Sequence, residues 1–237
     1  LPVQVKSADG NSFLADIVQI SAGYVHSMAL KKDGTVLAWG RNDGGQLGNN
    51  KTSNKSLPVQ VKGGASGSEY LTDVVQVTAG NWHSMALKAN GTVWTWGYNV
   101  AGQLGNNSTA DSLIPVQVLG GATGNQYLTN VVQVAAGGTF DGGNRYYALA
   151  LRENGTVWAW GDNSYGQLGI GVKGNPTDSS KTSCLTPMQV VTGEQDSSST
   201  YLEDIIQISA GPTFAMALDR KGNVYTWGQN NVGQLGN

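Results

Sequence analysis

Two histidines, one cysteine and a few recurring aspartates are the residues here whose chemistry could support proton transfer, nucleophilic attack or metal binding. His26 and His83 occupy the same local context, Gly-Tyr-Val-His-Ser-Met-Ala-Leu and Gly-Asn-Trp-His-Ser-Met-Ala-Leu. Two later copies of that context carry Tyr147 and Phe214 instead. A place that accepts Phe is filled for shape rather than for proton transfer, and two histidines alone do not complete a zinc site. Cys184 is single, which excludes an internal disulfide and a cysteine-based metal centre. Asp16, Asp73, Asn130 and Asp204 recur just ahead of an apolar run, and the exchange to Asn points to turn hydrogen bonding rather than acid–base work. The 141–144 stretch, Asp-Gly-Gly-Asn, is only loosely like a cation-binding turn and is read as a loop. Nucleophile-elbow, His-Glu-x-x-His and phosphate-loop patterns are missing. The expectation is a non-enzymatic chain with no catalytic residue, cofactor or metal.

The elements around these residues repeat four times. Leu-Pro-Val-Gln-Val opens at Leu1 and returns at Leu57, with variants at Ile114 and Thr186. An aromatic-Leu-x-Asp/Asn element follows, then Val-Gln-Val-x-Ala-Gly or a close relative. A strand-like segment ending in Ala-Leu comes next, then Trp-Gly at Trp39, Trp96, Trp160 and Trp227, then Gly-Gln-Leu-Gly. Alternating apolar residues rich in Val, Ile, Thr and Trp predict strands. Asn90-Gly91 and its equivalents predict tight two-residue hairpin turns. The paired tryptophans are expected between neighbouring sheets. The repeats run approximately 1–49, 57–106, 114–169 and 186–237, forming one domain over 1–237. About seven extra residues within 137–147 and about eight between 169 and 187 are expected in loops, which absorb insertions more readily than strands.

Charged residues make up only 13% of the 237, and the net charge is −2. That argues against nucleic acid as a partner, since phosphate backbones call for clustered Lys and Arg. No apolar run approaches the roughly 20 residues of a helical membrane span. The chain opens at Leu1, so its start is expected to be processed or cut from something longer. Low charge with abundant Asn, Thr and Gly suggests an extracellular or bacterial cell-surface location, with the cytoplasm as the alternative.

Taken together, Gly-Thr-Val-x-x-Trp-Gly, Asn-x-x-Gly-Gln-Leu-Gly, Pro-Val-x-Val and Val-Gln-Val-x-Ala-Gly-x-x-His-Ser-x-Ala-Leu resemble the regulator of chromosome condensation repeat family, across essentially the whole chain. The resemblance implies an all-β β-propeller: four repeats of four-stranded antiparallel blades, part of a larger ring of about seven. It implies that the turns after Ala-Gly share one propeller face near the axis. That face would hold Tyr24, Val25, Asn81, Trp82, Arg145, Tyr146, Pro212 and Thr213, a varied aromatic and polar set suited to a protein partner. A non-enzymatic interaction scaffold is therefore expected. The alternatives are a guanine-nucleotide exchange factor for a small GTPase, and an inhibitor or binder of an extracellular enzyme. The Gly-Trp-Arg-His-Thr repeats of the family's plant photoreceptor are absent, and four repeats stand where seven are usual. Blades in a seven-fold ring turn by roughly 50° and in a four-fold ring by about 90°, and one packing surface does not serve both. An incomplete ring is thus expected, with self-association as one way to complete it; pairing of Leu1–Val5 with the last repeat is the competing arrangement.

Overall fold

The computed structural model describes all residues except 65–68, 122–125, 141–142, 178–180 and 194–199. Four antiparallel sheets follow one another along the chain. The first contains β1 (Ile17–Ala22), β2 (His26–Lys31), β3 (Val36–Gly40) and β4 (Lys55–Gln60). The second contains β5 (Val74–Ala79), β6 (His83–Lys88), β7 (Val93–Gly97) and β8 (Ser112–Gln117). The third contains β9 (Val131–Phe140), β10 (Asn144–Arg152), β11 (Val157–Asp162) and β12 (Ser183–Gln189). The fourth contains β13 (Ile205–Ala210), β14 (Phe214–Asp219) and β15 (Val224–Gly228). Strand order follows chain order in each, so every sheet is a meander.

The expected four strands are met in the first three sheets, whereas the fourth has three among the described residues. The outer strand of each complete sheet is the Pro-Val-x-Val segment of the following repeat: β4 lies on β3 with Ala38 opposite Val59. Leu1–Val5 does not take that place on β15. Its tie is to the first sheet's own connection, where Lys6 bridges to Phe13 and Leu14 N–H donates to the Val5 carbonyl at 2.8 Å.

Consecutive sheets pack face to face, β2 on β5, β6 on β9 and β10 on β13. The core therefore consists of three layers between sheets. The first joins Met28, Leu30 and Val36 to Val74, Val77 and Trp96. The second joins Met85, Leu87 and Val93 to Val131, Val134 and Trp160. The third joins Leu149, Leu151 and Val157 to Ile205, Ile208 and Trp227.

Two local expectations are corrected. The hairpin turns are longer than two residues: Lys88 N–H donates to Thr92 O and Gly91 N–H to Lys88 O, enclosing Ala89, Asn90 and Gly91. Gly91 alone takes the positive φ, 75°. This is a type I turn closed by a glycine bulge, and Asn90 contributes its Oδ1 as acceptor for Thr92 N–H and Oγ1–H. The described residues of the insertion at 137–147 are not a loop; 137–140 and 144–147 lengthen β9 and β10, with Tyr147 opposite Gly137 and Asn144 opposite Phe140. Backbone groups carried beyond the sheet body are satisfied more fully by pairing with each other than by a free loop.

Candidate functional site

The β1–β2, β5–β6, β9–β10 and β13–β14 connections lie at one end of the sheets, with the Trp-Gly ends of β3, β7, β11 and β15. This end is organised by the Asn of Asn-x-x-Gly-Gln-Leu-Gly. Asn42, Asn99 and Asn163 are fully buried. Each accepts from the Leu N–H five residues on, at 2.9, 2.9 and 3.0 Å. Each donates from Nδ2 to loop carbonyls, such as Lys51 O at 2.7 Å and Ser108 O at 2.9 Å. The following Gln folds back so that Gln46, Gln103, Gln167 and Gln234 accept from the N–H two residues earlier.

That loop is also the seat of the next sheet. Trp96 Nε1–H donates to Gln46 O at 3.0 Å, Trp160 to Gln103 O at 2.9 Å, and Trp227 to Gln167 O at 2.9 Å. The closing glycine of each loop permits the indole to approach: a Cβ on Gly48 would stand 2.8 Å from Trp96 Nε1. On the first strand of the second sheet, Gln76 clamps the first strand of the third, accepting from Val134 N–H and donating to Val134 O, both at 2.9 Å. Gln133 repeats the clamp on Ile208.

Across this frame runs a row of aromatic and cationic contacts. The Arg41 guanidinium lies over the Trp82 ring at 4.5 Å, crossing the first joint. Trp82 and Tyr98 are tilted rings with centroids 6.1 Å apart. Tyr98 meets Tyr146 edge to face at 5.9 Å, crossing the second joint. Arg145 lies over Tyr165 at 4.7 Å. Arg41 is also paired with Asp43 at 2.6 Å, both about half exposed. Behind Arg145, burial pushes the Asp162 carboxyl up, opposed by hydrogen bonds from Ser164 and Gln167 and by the Arg145 charge.

The eight residues expected on this face are unequally presented. Tyr24 and Pro212 are exposed, and Val25, Asn81, Trp82 and Arg145 are partly exposed. Tyr146 is 0% exposed and Thr213 4%, so they underlie the surface. Burial pushes the Tyr146 hydroxyl up to about 12, and the Thr213 hydroxyl is engaged by Gln229. Arg145 and Tyr146 lie in strand β10 rather than in a turn. The row brings Trp82, Arg145 and Tyr146 together with Arg41, Tyr98 and Tyr165, which the sequence reading did not single out. The signal for them was available: the residue after Trp-Gly varies as Arg41, Tyr98, Asp162, Gln229, and the residue before Gly-Gln-Leu-Gly as Gly44, Ala101, Tyr165, Val232. The 141–144 stretch falls partly outside the described residues.

The histidines sit between sheets. His26 Nε2 is 2.8 Å from Ser84 Oγ. His83 is fully buried, and neither ring nitrogen has a partner among the described residues. Its register counterpart of Ser84 in the third sheet is Ala148, which offers no hydroxyl. In the third joint Tyr147 OH instead reaches Gly211 O at 3.0 Å and the Phe214 carbonyl. Burial lowers His26 to about 4; burial, and then the neighbouring His26, lower His83 to about 3. Cys184 is buried in β12, and burial raises its thiol to about 11, away from the reactive thiolate.

The RCC1-like domain pattern matches residues 1–237. Over 221 residues, 92% of this chain, the sequence is 33% identical to the human E3 ubiquitin-protein ligase HERC2, of which that stretch is 4%. It is 29% identical over 238 residues to the Ultraviolet-B receptor UVR8 of Arabidopsis thaliana, covering 99% of this chain and 46% of the receptor. The fold superimposes on that of Prp20p from Saccharomyces cerevisiae with a TM-score of 0.68 and 27% identity, over 93% of this chain and 46% of Prp20p. The chain thus spans less than half the length of these relatives.

Proposed function

The chain belongs to the RCC1-like domain family, and from that premise we propose that it is a non-enzymatic protein-interaction scaffold whose contact surface is the face bearing Arg41, Trp82, Tyr98 and Arg145. The observation that carries this reading is the row of ring and guanidinium contacts crossing two sheet joints. Trp, Tyr and Arg dominate contact energies at protein interfaces, and here they are held in place by the sheets beneath, so docking immobilises few side chains. The interchange of His26, His83, Tyr147 and Phe214 at one position supports a binding role over a catalytic one. Residues filled for shape do not carry protons.

The test is affinity capture of partners with the intact chain and with Trp82→Ala, using Lys32→Ala in a hairpin turn at the opposite end as control. A partner held by the intact chain and the control should be lost by Trp82→Ala, with affinity down by roughly thirtyfold or more, as for a central interface residue. Equal capture by all three would sink the reading.

A second reading is nucleotide exchange on a small GTPase. Likeness to Prp20p, a protein characterised for its binding to Gsp1p and histones, favours it, as does the extended β9–β10 hairpin at the same face. Nucleotide release measured across small GTPases separates it from a passive scaffold. Binding to an extracellular enzyme is the third form of the scaffold reading. Low charge and abundant Asn and Thr support a secreted or cell-surface location over the cytoplasm, and cell fractionation tests it.

A further inference from the structure

The hairpin turns at the end of the sheets opposite the candidate face hold a reactive pair. Asn90-Gly91 and Asn154-Gly155 are the two Asn-Gly pairs of the chain, and both asparagines are exposed. A glycine after asparagine leaves its backbone nitrogen open to the side-chain amide, because no Cβ stands in the way. The amide is also polarised. Asn90 Oδ1 accepts from Thr92 Oγ1–H at 2.7 Å and from Thr92 N–H at 3.2 Å. Asn154 Oδ1 accepts likewise from Thr156, at 2.8 and 3.3 Å. Each threonine hydroxyl is in turn held by an indole: Trp94 Nε1–H donates to Thr92 Oγ1 and Trp158 Nε1–H to Thr156 Oγ1, both at 3.3 Å. A hydroxyl that accepts from the indole keeps its own hydrogen for the amide oxygen. The corresponding turns of the first and fourth repeats lack this arrangement. Asp33 and Lys221 stand in place of the asparagine, and Leu37 and Tyr225 in place of the tryptophan. Asp33 shows how an acid sits in the turn. Its Oδ1 keeps both bonds, from Thr35 Oγ1–H at 2.5 Å and N–H at 3.0 Å, and its Oδ2 pairs with Lys31 at 3.1 Å. Lys88 and Arg152 occupy the place of Lys31 in the second and third sheets.

We propose that Asn90 and Asn154 are sites of intramolecular deamidation in the folded chain, each converting to an aspartate that its turn accommodates as the first repeat accommodates Asp33. The Gly91 nitrogen, its proton passed to a solvent base, bonds to Asn90 Cγ. Thr92 N–H and Oγ1–H steady the negative charge that builds on Oδ1. The Cγ–Nδ2 bond then breaks, ammonia leaves with a proton from water, and a cyclic imide remains. Water adds to an imide carbonyl and the ring opens. Opening at Cγ restores the main chain and leaves aspartate. Opening at the main-chain carbonyl leaves isoaspartate, which lengthens the backbone within the closed turn. Gly91 N–H also donates to Lys88 O at 2.9 Å, so that bond opens before attack; an exposed hairpin tip opens locally without loss of its sheet. Gly155 and Arg152 O stand in the same relation in the third sheet, also at 2.9 Å. Trp94 and Trp158 are positioning residues, acting through the threonine hydroxyls. Each conversion adds one negative charge beside Lys88 or Arg152, to a chain whose net charge is −2.

Incubating the full chain at mildly alkaline pH, followed by peptide mapping with mass spectrometry, tests this. Asn90 and Asn154 should become acids ahead of every other asparagine in the folded chain, and faster as pH rises. Thr92→Val keeps the branched shape without the hydroxyl; it should slow Asn90 by about threefold or more and leave Asn154 unchanged. Thr92→Ser restores the donor and should restore the rate. The double variant Asn90→Asp with Asn154→Asp carries both products and should melt at the temperature of the unaltered chain. Both asparagines remaining amides in the folded chain, while the chain unfolded in urea converts, would overturn the proposal, since the turns would then be shields. So would a folded Thr92→Val that converts at least as fast as the unaltered chain, or a double variant that melts well below it.

Discussion

His83 illustrates how a polar residue can serve a joint without chemistry. Its imidazole fills the space that Tyr147 and Phe214 fill in later repeats, and its two nitrogens are buried without partners among the described residues. A buried unsatisfied polar group costs about 1–3 kcal/mol, so the position holds stability in reserve. The charged form is worse. Because burial places His83 near 3 and His26 near 4 in the folded state, both are neutral when folded. Unfolded, they titrate near the ordinary value of about 6.5. The stability they confer is therefore complete above that value and is lost as pH falls toward the folded values. Between pH 7 and 5 each histidine should cost about 2 kcal/mol. Urea unfolding at the two pH values should show His83→Phe losing less stability than the unaltered chain. Equal losses would mean that His83 does not titrate on unfolding.

At the scale of elements, one joint is built the same way three times, and a left-handed residue is part of it. Asp16, Asp73, Asn130 and Asp204 have φ of 58°, 60°, 57° and 58°. Asp and Asn tolerate this region better than other non-glycine residues, which accounts for the exchange between them. The kink lets Val74 N–H reach Gly34 O on the preceding hairpin turn at 3.1 Å, and the same bond recurs from Val131 to Gly91 and from Ile205 to Gly155. Asp73→Ala should destabilise by about 1 kcal/mol from backbone strain, while Asp73→Gly should be near neutral. Its ion pair with Lys88, 3.8 Å and exposed at Asp73, adds little. Thermal unfolding of the two variants decides; equal destabilisation would assign the role to the carboxylate instead of the backbone.

Across the whole molecule the sheets are unequally buried. Trp96 and Trp160 are 0% exposed, whereas Trp227 is only half-buried and Val224 on the terminal sheet is 60% exposed. A repeat array gains stability from each neighbour contact, so the sheet whose core residues are most exposed opens first. Amides of β14 should exchange with solvent at least about tenfold faster than those of β6. Matching protection would mean that the array unfolds as one unit.

The sequence by itself determined the strands, the four-fold repetition and the recurring Trp-Gly strand ends, because alternation, turn glycines and the Trp-Gly pair report backbone geometry within a few residues. The candidate face was drawn from the family resemblance, with the variation of its residues between repeats beside it. Tertiary structure decided what lies between repeats. Arg41 meets Trp82 and Tyr98 meets Tyr146 only because successive sheets stack at a particular offset, and that offset is a property of two packed surfaces that no local pattern encodes. The β9–β10 extension escaped notice for a related reason: an insertion rich in Gly reads as a loop until its two arms find each other.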